Sequence, residues 1–206
     1  MQQTGLARWT FVVFVIIWVG SAGAPEDVLA LTGQAKAVQT SVGTAPTPVK
    51  TALADTGPLG GAGGANFPQL DARDVSLIQG TIPSLLTGDA LHATTIGWID
   101  QVVSEASLGN LILSIAGNTI TADFVMARAE AVAGAPGSGT SDIAGLLING
   151  SPILPTGAPN QQFDLAGGRV LLNEQLISPT GAIVNALHII VDGVADVVIA
   201  SANASR

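Results

Sequence analysis

From Gly117 onward the chain is built of short apolar or small-residue runs separated by turn residues, and that spacing leaves room for little except β-structure. Ile120, Ala122, Phe124 and Met126 alternate with Thr119, Thr121 and Asp123, the period of a half-buried strand. The runs Leu111–Ile115, Ile143–Ile148, Arg169–Ile177, Ile183–Val191 and Val197–Ala202 read as short strands with turn residues between them. Turns are expected at Gly117-Asn118, Asn149-Gly150 and Gly167-Gly168, of which Asn-Gly is the strongest short hairpin signal. The expectation is all-β: a β-sandwich or barrel of short antiparallel strands. After Met126 the small residues Ala127, Ala129 and Ala131 change phase, which a β-bulge near Met126 would produce. By propensity alone, residues 123–133 read equally well as helix or strand.

Upstream the pattern is weaker. His92–Ile99 and Val102–Ser107 read as strands, and Val75–Leu86 is apolar but interrupted by Gly80 and Pro83. Gln34–Val42 alternates as a weak first strand. Thr44-Ala45-Pro46-Thr47-Pro48 breaks it, because proline donates no ladder hydrogen bond. Gly57 to Gly64 is a glycine-rich surface loop that lacks the Gly-Lys-Ser/Thr ending of a phosphate-binding loop. The segment 25–68 is therefore read as a weak strand with a flexible Pro/Gly arm, and 69–206 as the all-β domain.

The first residues have a different character. Arg8 is the one charge before the apolar run Phe11–Val19, which is followed by Gly20, Ser21, Ala22, Gly23 and Ala24. A basic start, an apolar centre and a small-residue exit make a secretory signal peptide over 1–24. The cut falls between residues 21 and 30, since Val28-Leu29-Ala30 offers a second site and Pro25 disfavours the first. The apolar run is shorter than the roughly 20 residues that span a bilayer, so the membrane is met only through this signal.

Seven basic against fifteen acidic residues give a net charge of −8, and charged residues are only 11% of the chain. Such a chain has no basic patch to displace phosphate counterions, which argues against nucleic acid as a partner. The absence of cysteine excludes disulfide frameworks, thiolate metal sites and cysteine nucleophiles. No cofactor motif is present.

The C-terminal blocks resemble a bacterial secreted domain family called choice-of-anchor P. They are Ile120-Thr121-Ala122-Asp123, Gly145-Leu146-Leu147-Ile148-Asn149-Gly150, Ala158-Pro159-Asn160, Leu171-Leu172-Asn173-Glu174-Gln175, Val184-Asn185-Ala186-Leu187-His188 and Asp196-Val197-Val198-Ile199-Ala200-Ser201-Ala202. Order and spacing both fit over about the last ninety residues. The resemblance implies a secreted or surface-displayed domain with no established activity or ligand. Leu154-Pro155-Thr156-Gly157 is one residue short of a sortase site, and release rather than covalent attachment is expected.

The residues with most chemical potential lie on two neighbouring strands. Val170, Leu172 and Leu176 share a phase with Glu174, which points the carboxylate toward the apolar face. With Ile177 opposite Ile183, Gln175 faces Asn185 and Leu172 faces His188, so Glu174 and His188 lie diagonally within reach. An inward carboxylate is costly unless paired. Asn173, Glu174, Gln175, Asn185 and His188 are therefore expected to form a structural polar cluster. The rival reading makes Glu174 and His188 the acid–base pair of an extracellular enzyme. Ser138, the Asp89/His92 and Asp71/Asp74 pairs, Arg128/Glu130 and Asp192/Asp196 have no supporting motif.

The resulting expectation is a secreted, non-catalytic structural, adhesive or interaction domain, extracellular or associated with the cell surface. Its partners are unspecified beyond a cell surface, a matrix or a second copy paired weakly through lysine-poor edge strands.

Overall fold

The computed structural model describes residues 31–43, 46–59 and 71–206 and is all-β. The expected signal peptide and most of the Gly57–Gly64 loop lie outside the described residues. The strands are β1 (Thr32–Val42), β2 (Val49–Asp55), β3 (Ala72–Ile82), β4 (Leu86–Gly97), β5 (Gln101–Ile115), β6 (Asn118–Val132), β7 (Ser138–Ala144), β8 (Leu147–Ile148), β9 (Ser151–Pro152), β10 (Gln161–Leu165), β11 (Gly168–Ser178), β12 (Gly181–Val191) and β13 (Ala195–Ser205). One antiparallel sheet has the order β10-β11-β12-β13-β1-β2. The other runs β3-β4-β5-β6-β8-β9, with β7 also paired to β6. The two sheets pack face to face as a sandwich.

Several boundaries differ from the sequence reading. β1 lies between β13 and β2, and Ala35, Ala37 and Val38 have no exposed surface. The stretch read as an arm therefore supplies an interior strand and its neighbour to the sheet that also holds β10 to β13. Leu59 is buried and its amide donates to the Gly33 carbonyl, so the chain is still packed where the glycine loop begins. Val102–Ser107 and Leu111–Ile115 form one continuous strand, as do the two halves of Val75–Leu86 up to Ile82. Residues 123–132 are strand, because Val125, Ala127, Ala129 and Ala131 all face the core. The Asn149-Gly150 turn is present, with φ of 50° and 77° at its two residues. The turn expected at Gly117-Asn118 falls one residue earlier, on Ala116 and Gly117 at φ 48° and 79°.

One backbone feature governs which residues face inward. In the first sheet a single row crosses β2, β1, β13, β12 and β11 at Ala54, Ala37, Ala200, Ala186 and Asn173, and its ladder pairs are interrupted. Ala54, Ala200 and Asn173 sit there at φ of 47°, 53° and 51°. The register is the same on both sides: Lys36 opposes Ser201 before the row and Val38 opposes Ile199 after it. No residue is gained or lost by either partner, yet every strand turns over together. In β12 the buried set runs Ala182, Val184, Ala186 and then Leu187, Ile189, Val191. In β13 the inward phase runs Ala195, Val197, Ile199 and then Ala200, Ala202, Ala204, with Val198 also buried from the other face. The second sheet has a counterpart at Ala90 (φ 49°), Asn110 (φ 50°) and Asp123, between Gly109 opposite Phe124 and Leu111 opposite Ala122. The phase slip in β6 thus lies at Asp123-Phe124, earlier than the expected bulge near Met126, and leaves Phe124 facing out.

The reversal row divides the core into unequal halves. On one side many inward positions are small, with Gly33, Ala35, Ala127, Ala129, Ala131, Ala202 and Ala204 beside the larger Val102, Leu108, Val125 and Val184. On the other they are large: Leu111, Leu113, Ile120, Leu172, Leu187, Ile189 and Ile199. Facing strands bring Cα atoms within 8 Å of each other, closer than the roughly 10 Å of ordinary stacked sheets. In the small-residue half the Ser104 hydroxyl on β5 reaches across and donates to the Asn203 carbonyl on β13 at 2.6 Å. The same hydroxyl lies 2.7 Å from Thr95 Oγ1. This part-buried bond ties one sheet to the backbone of the other.

Candidate functional site

The reversal at Asn173 decides where Glu174 points. Leu172 faces inward, Asn173 also faces inward because of its left-handed backbone, and Glu174 is turned to the outer face of the sheet. Asparagine tolerates this backbone region better than most non-glycine residues. Simple alternation places Glu174 on the apolar face, and it is the wrong face. The register also differs by one: Gln175 opposes Val184, Glu174 opposes Asn185, Leu171 opposes His188 and Leu172 opposes Leu187. Glu174 and His188 still meet, on the outside rather than in the core.

The outer face carries a polar ladder across five strands. Glu174, Asn185, Ser201, Lys36 and Asp55 follow one another from β11 through β12, β13 and β1 to β2. Ser201 Oγ donates to Asn185 Oδ1 at 2.7 Å, and Asn185 Nδ2 donates to Glu174 Oε2 at 2.6 Å. His188 Nδ1 lies 2.9 Å from the same Glu174 oxygen, and His188 Nε2 lies 3.1 Å from Asp196 Oδ1. The imidazole side chain is 13% exposed, against 30% for Glu174 and 55% for Asp196. Carboxylates only accept, so both contacts become hydrogen bonds when each ring nitrogen carries a hydrogen. The two carboxylates lie against opposite ring nitrogens and do not converge on one point. Among the described residues, no group of three or more His, Asp and Glu side chains is placed to hold a metal ion.

The expected five-residue cluster is divided by the sheet. Glu174, Asn185 and His188 are outside, joined by Ser201 and Asp196. Asn173 and Gln175 are on the inner side, where Gln175 Nε2 donates to Asn173 Oδ1 at 2.8 Å and to the Gly139 carbonyl of β7 at 3.1 Å. Asn173 Nδ2 donates to the Gly157 carbonyl at 3.0 Å. These bonds pin the β11 edge to β7 and to the loop before β10. Asp196 could have been found from the sequence: the tight Asp192-Gly193-Val194 turn places Asp196 opposite Ile190, one diagonal step from His188.

The remaining polar candidates are scattered. His92 Nε2 lies 2.7 Å from Asp74 Oδ2, and Asp89 accepts from Asn110 at 3.1 Å. Arg128 pairs with Glu105 at 3.6 Å, while Glu130 accepts from Gln101. Ser138 begins β7 and is exposed. Comparison with family models, curated proteins and solved structures finds no match to this chain.

A double-mutant cycle measures the outer cluster. Glu174→Gln and His188→Gln are each expected to lower unfolding free energy by about 1 kcal/mol, with a coupling of about 0.5–1 kcal/mol, as suits partly exposed charged hydrogen bonds. Urea unfolding of the four proteins tests this. Unchanged stability in both single variants would remove the structural role of the pair.

Proposed function

We propose that the chain is a secreted, non-catalytic domain of structural, adhesive or interaction role, of the choice-of-anchor P type that its C-terminal blocks resemble. The observation that carries the reading is the commitment of both His188 ring nitrogens and the shared Glu174 oxygen to partners within the protein. A general base needs a free position aimed at a substrate proton, and neither ring nitrogen of His188 is free for one, each lying against a carboxylate of the protein. The Phe11–Val19 run with its small-residue exit supports secretion, and among the described residues no helix is long and apolar enough to cross a membrane. Weak self-association is supported by β3, which ends its sheet. Val75–Ile82 on that strand carries no charged residue, and Ile78 is 94% exposed.

The test is expression of the full chain in a secretion-competent bacterial host, with mass spectrometry of the product outside the cytoplasm. A mature N-terminus between residues 22 and 31 is expected. Retention of the uncut chain in the cytoplasm would overturn the secreted reading. The same material is assayed against panels of hydrolase substrates beside Glu174→Gln, and turnover abolished by that substitution would overturn the non-catalytic reading in favour of the extracellular enzyme.

A further inference from the structure

The outer face of the first sheet contains a groove of about 540 Å³ over β1 and β2. Register explains its shape. Gln39 opposes Ala52, while Ser41 opposes both Lys50 and Asp196. The short Ser41 and Ala52 side chains form the floor, and Lys36, Gln39, Lys50 and Asp196 stand around it. β2 is the last strand of its sheet, so the depression lies beside an open edge.

The charges around the groove are not equivalent. Lys36 is engaged by Asp55 at 3.6 Å and by the Gln39 side-chain carbonyl at 2.9 Å. Lys50 is exposed and makes no hydrogen bond or ion pair with any described residue. Asp196 uses Oδ1 for His188, and its other oxygen makes no hydrogen bond among the described residues. Among the described residues the groove therefore offers one ammonium without a partner, one carboxylate oxygen that needs a donor, and the neutral polar groups of Gln39 and Ser41 between them. Its volume falls in the range of small-ligand sites, roughly 300–1,000 Å³.

We propose that this groove binds a small ligand carrying one carboxylate and several hydroxyls, the chemistry of a hexuronate. The ligand carboxylate sits on Lys50, and its hydroxyls donate to Asp196 and exchange hydrogen bonds with Gln39 and Ser41. A single free cation matches a single anionic group, and a net charge of −8 opposes a polyanion. The proposal deepens the interaction reading and rests on it. Failure to bind would leave a structural or adhesive role through other surfaces untouched, and secretion is tested separately.

The experiment titrates the purified full chain with glucuronate, glucose and acetate while following backbone amide signals by NMR. Glucuronate is expected to give saturable shifts at Gln39, Ser41 and Ala52, with glucose and acetate each at least about fivefold weaker because each lacks half of the recognition. Lys50→Gln is expected to weaken glucuronate about five- to tenfold without changing glucose, and Lys50→Arg to retain binding. Absence of saturable shifts, shifts located elsewhere, acetate equal to glucuronate, or glucuronate binding unaffected by Lys50→Gln would each overturn the proposal.

Discussion

Replacing Asn173 with valine is expected to lower the unfolding free energy by about 3 kcal/mol. Two independent losses add. The residue holds φ at 51°, where a β-branched side chain is strained by about 1–2 kcal/mol relative to asparagine. The substitution also removes the amide that donates to the Gly157 carbonyl and accepts from Gln175, leaving buried polar partners short by about 1–3 kcal/mol. Asn173→Gly separates the two, since glycine keeps the backbone and loses only the side-chain bonds, so a smaller loss of about 1–2 kcal/mol is expected. Urea unfolding of both variants supplies the measurement. Valine tolerated within about 0.5 kcal/mol would mean that the reversal row is not held at Asn173.

That row also explains how far the sequence could be read. The Ile183–Val191 and Val197–Ala202 strands and the Asn149-Gly150 hairpin were legible because short apolar runs bounded by turn residues mark strands whatever their phase. The direction of Glu174 was not, because alternation assumes one unbroken phase along β11 and the backbone turns over one residue before it. The sequence-level expectation that Glu174 and His188 meet rested on a register one residue off and on the opposite face. The contact survived because cross-strand diagonals span such an offset. β2 escaped notice because Val49–Asp55 is short, begins next to Pro48 and gains its place only from β1, a long-range partner. Asn173, Asn110, Ala54, Ala90 and Ala200 share the left-handed geometry, and only the asparagines advertise it. An alanine forced to positive φ by the strands beside it carries no local signal.

The alanine-rich half of the core is intolerant of added bulk, and Ala202→Leu is expected to destabilise the domain by about 3 kcal/mol or more. Ala202 is fully buried on β13 between Val184 of β12 and Ala35 of β1. The residue beside it, Asn203, receives the Ser104 hydroxyl at 2.6 Å, so the opposite sheet is already within one small side chain of the β13 backbone. The same closeness appears at Gly33, where an added methyl would collide with Thr95 Oγ1 and lie 2.8 Å from Val102 Cγ1. A leucine at 202 can be housed only by parting the sheets, which would stretch the Ser104–Asn203 bond and open gaps around the neighbouring alanines. Leu187→Met, a change of shape at nearly constant volume across the reversal row, is expected to cost less than about 1.5 kcal/mol. Thermal and urea unfolding of the two variants measure the difference between the two halves. A loss at 202 of less than about 1.5 kcal/mol would mean that the alanine half has slack to absorb a larger side chain, and that close sheet contact is not what those alanines provide.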